Sequence, residues 1–194
     1  RNAFETAKGL TGADQTLVFL GLGESLSVAA TELAKVNPGD SNILLYKQGS
    51  VDAYAQAASG SGGNANAQLL LANALKATQP DRASEAYRQY VAMKLAYTDW
   101  IAADWQSPVG PLFLQKTNAL PTMEDRRNVA EAIMALYETR SATSGLRKDI
   151  ALSLLNAALA AQPSLIEASL KVGRLHLAPP ANWAGANTAF LNVV

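Results

Sequence analysis

Cysteine is absent from the 194 residues, and histidine occurs once, as His176. Without thiols the chain can form no disulfide, no sulfur-based zinc site and no cysteine nucleophile, and its redox compartment stays open. A Ser–His–acid triad would have to be built on His176, and no Gly-x-Ser-x-Gly elbow presents a serine. The glycine-rich run Gly60-Ser61-Gly62-Gly63 lacks the Lys-Ser/Thr of a phosphate-binding loop and reads as a flexible turn. Glu124-Asp125 is the nearest approach to a metal-ligating cluster, and acids at a helix start are ordinarily partners of the helix dipole. Neither sign of charge dominates, with 16 basic against 16 acidic residues, so no strong field draws in nucleic acid or an anionic surface. No run of about 18 apolar residues is present, so no transmembrane segment is expected. The chain starts at Arg1 without the apolar stretch of a signal peptide, which points to a processed or trimmed N-terminus. Together these absences lead us to expect no enzyme, no catalytic residues, no metal and no cofactor.

Half of the chain is apolar and much of that share is alanine, which favours helices packed closely together. No segment alternates polar and apolar residues between turn signals, so the expected fold is all-α. Pro38, Pro80, Pro121 and Pro163 are spaced by 42, 41 and 42 residues, and each is followed by residues that cap helices: Asp40/Ser41, Asp81, Thr122 and Ser164. The segments ending at Pro38, Pro80 and Pro163 read as three versions of one helix end. This period divides a single domain, 1–194, into N-terminal helices (1–37) and units at about 38–80, 81–121, 122–163 and 164–194.

Within it, helices are expected at 3–10 and 14–36, the second containing Gly21 and Gly23 as a break or a close crossing. Unit one should be a hairpin of 42–59 and 66–78. Unit two should open with the longest and most aromatic helix, 81–104, followed by the Pro-rich 106–111 and one or two turns at 112–118. Unit three should pair a helix ending near 139 with 146–161. Unit four should pair 165–177 with a final helix after the loop 179–183, stopping on the apolar Val193-Val194. An end without a polar cap suggests either a cut chain or a docked end.

The stretch 151–176 resembles the joint between two tetratricopeptide (TPR) repeats. It carries Ala151-x3-Leu155-x2-Ala158-x4-Pro163 and then Val172-Gly173-x2-His176, with Ser164-x2-Glu167 as a capping box between the helices. Ala186-x3-Phe190 repeats the small-x3-large spacing, while 81–121 fits poorly. The resemblance implies antiparallel helix-hairpin repeats forming a short right-handed α-solenoid of about nine helices, with His176 an inward-facing packing residue. The period near 42 exceeds the family's ~34 and falls in the range of HEAT and armadillo repeats, the main structural alternative.

A helical-repeat chain poor in catalytic groups is expected to bind another protein or a peptide. The alternative is a structural subunit of a multi-protein or surface assembly, a reading to which zero net charge contributes; an enzyme on a helical scaffold is the weakest reading. Tyr97, Trp100 and Trp105 form the aromatic cluster that either packs a helix or meets a partner, and Trp183 is a loop anchor or a contact. Asn66, Asn73 and Arg174 are the residues that could line a groove for a peptide. Arg126, Arg127, Arg147 and Lys148 read as solvated helix faces. The Ala/Gln/Asn/Ser-rich, cysteine-free composition leans towards an exported bacterial protein of the periplasm or envelope.

Overall fold

A computed structural model describes residues 13–60, 63–102, 107–143 and 145–193 of the chain. Over these residues it is all-helical, with no strand. The helices are α1 (Ala13–Val36), α2 (Ser41–Ala58), α3 (Ala65–Leu75), α4 (Pro80–Lys94), α5 (Asp99–Ala102), α6 (Pro111–Asn118), α7 (Met123–Thr143), α8 (Lys148–Ala161), α9 (Ile166–Leu177) and α10 (Trp183–Leu191). The expected helix at 3–10 lies outside the described residues.

Local chemistry explains most of the boundaries. Asp40 accepts from the Asn42 N–H at 2.8 Å and starts α2. Asn64 does the same for α3 through the Ala67 N–H at 3.0 Å. Thr122 opens α7 with a capping box, its Oγ1 accepting from the Asp125 N–H at 2.9 Å and donating to Asp125 Oδ2 at 2.7 Å. Pro111 opens α6 and Pro80 opens α4, positions where a missing N–H leaves no helix bond unmade. All four evenly spaced prolines thus stand at joints between helices, Pro80 as the first residue of α4 and the others before α2, α7 and α9.

Several expectations are corrected. The box at Ser164 and Glu167 does not form: α9 starts at Ile166 after Leu165, with no side-chain cap. Asp81 lies within the first turn of α4 rather than before it. The first helix of unit three runs on to Thr143, and its return starts at Lys148, the turn using Gly145 at φ 62°. The largest departure is in 81–104, which is two helices, bringing the number among the described residues to ten where about nine were expected. Ala96 takes φ 46°, the Tyr97 N–H reaches back to the Ala92 carbonyl at 2.8 Å and the Ala96 N–H to Met93 at 3.1 Å. That is a Schellman stop, with alanine where glycine usually stands.

The chain separates into two compact units, Arg1–Ala86 and Tyr87–Val194, the division falling inside α4. In the first, α2 packs against both α1 and α3. α1 is unbroken across its two glycines. Gly23 is the crossing point, where a Cβ would stand 2.6 Å from the Tyr54 ring, and at Gly21 nothing approaches. Among the described residues one segment, Gln15–Val36, is long and apolar enough to cross a membrane, with mean hydropathy 1.4 in its most apolar window and 17% of that window buried. Glu24, Glu32 and Lys35 fall within it.

In the second unit each long helix packs on its chain neighbour, α7 on α8, α8 on α9 and α9 on α10, with α6 against α8. Alanines 157, 158 and 186 are essentially inaccessible at these contacts. Where α9 meets α10, a Cβ on Gly173 would stand 2.6 Å from Cζ of Phe190, so the ring takes the place of a side chain. Tyr87, Tyr90, Phe113, Ile133, Leu136 and Leu155 fill the interior. Burial pushes the phenols of Tyr87 and Tyr90 up to about 12, helped by Glu138 near the first and by Asp125, Glu131 and Glu124 near the second.

Candidate functional site

Of the aromatic cluster that either packs a helix or meets a partner, Trp100 is buried and Tyr97 half-buried. Trp100, on the short α5, is only 8% exposed. Its ring meets Phe113 of α6 edge-on at 4.6 Å between centroids, and the Arg88 guanidinium lies 5.5 Å above it. Arg88 also donates to the Trp100 carbonyl, so one side chain from α4 holds both the ring and the backbone of α5. Tyr97 is half-buried, with Lys116 Nζ 6.0 Å from its ring centre and 3.1 Å from the Ala96 carbonyl. These contacts show why the irregular stretch is aromatic: it replaces a missing long helix with bulky side chains. Trp105 lies outside the described residues.

Trp183 stands apart, with 73% of its surface open. It is the first residue of α10, fixed there because Asn182 Oδ1 accepts from the Gly185 N–H at 3.0 Å. The loop before it is held from α8, where Lys148 Nζ donates to the carbonyls of Ala178 at 2.6 Å and Pro180 at 2.8 Å. Lys148 is therefore a loop clamp rather than a solvated charge, while Arg147 pairs with Asp149 at 2.7 Å and holds that carboxyl below its usual range. Leu177 and Leu191, at 38% and 64%, add exposed apolar surface on α9 and α10.

Asn66 and Asn73 are exposed on α3, seven positions apart and so on one face of that helix. Arg174 is exposed on α9, in the other unit. His176 is half-buried in the α9–α10 hairpin, where a Cβ on Gly185 would come within 3.0 Å of its ring. Among the described residues no group of three His, Cys, Asp or Glu is placed to hold a metal ion. Asp125 is taken up by Lys94 first and Thr122 second, which together lower its carboxyl pKa.

Two clefts open elsewhere, and none of the residues singled out for partner binding lines either. In the first unit a cleft of about 620 Å³ lies between the start of α1 and the end of α2, walled by Gln15, Thr16, Phe19, Gln56, Ser59 and Asn64, all uncharged. In the second unit a cleft of about 340 Å³ lies where α7 begins and α8 ends. It is lined by Met123, Glu124, Arg126 and Arg127 on one side and by Ala161, Gln162, Pro163 and Ser164 on the other. Arg126 is fixed in it by bonds from Nε to the Leu120 carbonyl (3.0 Å) and from its terminal nitrogen to that of Asn118 (3.3 Å). Arg127 is freer, with 59% of its side chain open and Glu131 at 4.0 Å. The signal for this cleft was the pair of prolines one period apart, since antiparallel helices bring Pro121 and Pro163 to the same end of the hairpin. Comparison with protein-family models, with curated proteins and with solved structures finds no match to the chain.

Proposed function

We propose that the chain is a helical-repeat binding module of TPR-like kind, which receives another protein or a peptide and performs no catalysis of its own. The observation that supports it is the register of its joints. Four prolines spaced by 42, 41 and 42 residues stand at helix joints, the helices that follow the first, third and fourth pack as neighbours, and the last pair leaves Trp183 and Leu191 largely exposed. Large aromatic side chains on a rigid helix end are the anchors that protein interfaces favour. The Ala/Gln/Asn/Ser-rich, cysteine-free composition is our support for reading this module as part of a bacterial envelope-associated complex. α1, with Glu24 near its middle and α2 packed along it, is read as a packing helix rather than a span, because a charge near a bilayer centre costs about 2.5–3.5 kcal/mol.

The second reading, a structural subunit of a larger assembly, is favoured by the exposed leucines Leu44 (73%) and Leu45 (65%) on α2. Sedimentation at high concentration separates the two. A module for a separate partner stays monomeric alone and shifts only when the partner is added. A subunit of a homomeric assembly sediments faster as its own concentration rises, and that result with no other chain retained would contradict the proposal.

A further inference from the structure

We propose that the cleft between the start of α7 and the end of α8 takes an acidic side chain of a peptide, together with one N–H group of that peptide's backbone. The inference rests on the binding-module reading and gives it a partner chemistry. Three observations carry it. First, Arg126 and Arg127 face the cleft with only Glu124 opposing them in the lining, so the wall has an excess of positive charge. Arg126 is already oriented by the carbonyls of Leu120 and Asn118, and Arg127 is open to solvent beside a carboxylate at the limit of pairing distance. A guanidinium held in one plane is the group best suited to a carboxylate.

Second, Gln162 Oε1 is shut off from solvent and has no hydrogen-bond partner among the described residues. Its backbone is engaged, the N–H with Ala158 at 2.9 Å and the carbonyl with Leu165 at 3.1 Å, which leaves the side-chain oxygen as the group without a partner at the cleft wall. A buried acceptor without a donor is costly, and a turn of the Gln162 side chain into the cleft, onto a ligand N–H, would relieve it. Third, the wall also has an apolar part, with Met123 80% exposed and Ala161 and Pro163 opposite, beside the small polar Ser164. A volume of about 340 Å³ admits one or two residues of a chain and no folded domain. A carboxylate, an N–H close to it and an apolar flank together describe a short peptide bearing Asp or Glu next to an apolar residue. A bare anion would leave Gln162 and Met123 unused.

The test uses the full chain and three sets of peptides, acetylated and amidated at their ends, with Glu, Gln or Lys fixed at the centre and apolar residues around it. The Glu set should bind about tenfold more tightly than the Gln set, and the Lys set weakest. Arg127→Glu, with folding checked by circular dichroism, should abolish the Glu preference and raise binding of the Lys set. Gln162→Leu should weaken the Glu and Gln sets alike and leave their ratio intact. Lys47→Glu, exposed on α2 in the other unit, should change nothing. Equal binding of the Glu and Gln sets, or an unchanged preference in Arg127→Glu, would overturn this site while leaving the binding module standing. Failure of all three sets to bind would count against both.

Discussion

Two stretches of the second unit solve the same packing problem by opposite means. From Met123 to Leu191 four helices lie against their chain neighbours, and closeness comes from small residues, with Ala157, Ala158 and Ala186 inaccessible and Gly173 yielding its side-chain position to Phe190. From Tyr87 to Asn118 one helix stops early and two short ones follow. There the interior is filled by Tyr87, Tyr90, Trp100 and Phe113, and a buried arginine ties α4 to α5. In the regular stretch alanine and aliphatic side chains fill the interior and Trp183 stays outside; in the irregular stretch the aromatic bulk of Trp100 and Phe113 is inside. A tryptophan is thus a poor guide to a binding surface until the packing around it is known.

The sharpest way to break this contrast is to remove the same side chain from both stretches. Trp100→Ala should lower stability by about 3–5 kcal/mol, because the cavity beside Phe113 cannot collapse without moving α5 and α6. Chemical denaturation measures it, and a loss near zero would mean that Trp100 packs against nothing essential. Gly173→Leu should lose about 1–3 kcal/mol by forcing α10 away from α9. Adding Phe190→Ala should restore part of that loss, since the ring is what the new side chain meets; two independent losses would show that the crossing lies elsewhere.

High pH probes the tyrosine-filled interior. Tyr87 and Tyr90 hold their protons up to about 12 in the fold, against 10.0 for an exposed phenol. The folded state therefore binds more protons between those values, and stability, intact below the lower one, should fall as pH rises through this window. Tyr90→Phe should make the fall shallower in thermal melts taken across it, and an unchanged slope would separate Tyr90 from the effect. Trp183→Ala, last and smallest, should change stability by less than about 0.5 kcal/mol, as befits a side chain 73% exposed. A larger loss would make Trp183 a loop anchor.

Sequence reading captured what local chemistry decides. Asp40 and Thr122 cap the helices that follow them, the four prolines fall at joints, and the spacing around Gly173 places a close crossing where one exists. It missed features that depend on residues distant in the chain or on atypical residues at standard positions. Ala96 ends α4 in a conformation for which glycine is the usual signal, so nothing in 81–104 announced a stop. Ser164 and Glu167 have the right letters for a capping box, yet the turn bonds of Leu165 to Gln162 start the helix one residue later. Arg126's bonds to the Leu120 and Asn118 carbonyls, and the cleft it shares with Gln162 and Ser164 some 36 positions further along, leave no local signal, while Arg127 is the exposed charge that it reads as. Neither Trp100's burial nor Lys148's grip on the loop before Trp183 leaves any periodic trace.

The most direct test of where this molecule meets its partner compares two exposed positions in these two stretches. A photo-crosslinking amino acid is placed either at Trp183, in the regular stretch, or at Leu112, 46% exposed in the irregular one, and the protein is irradiated in cells. A binding module that works through its regular helix pairs yields adducts with another chain from position 183 and none from position 112. Adducts from 112 alone would contradict it.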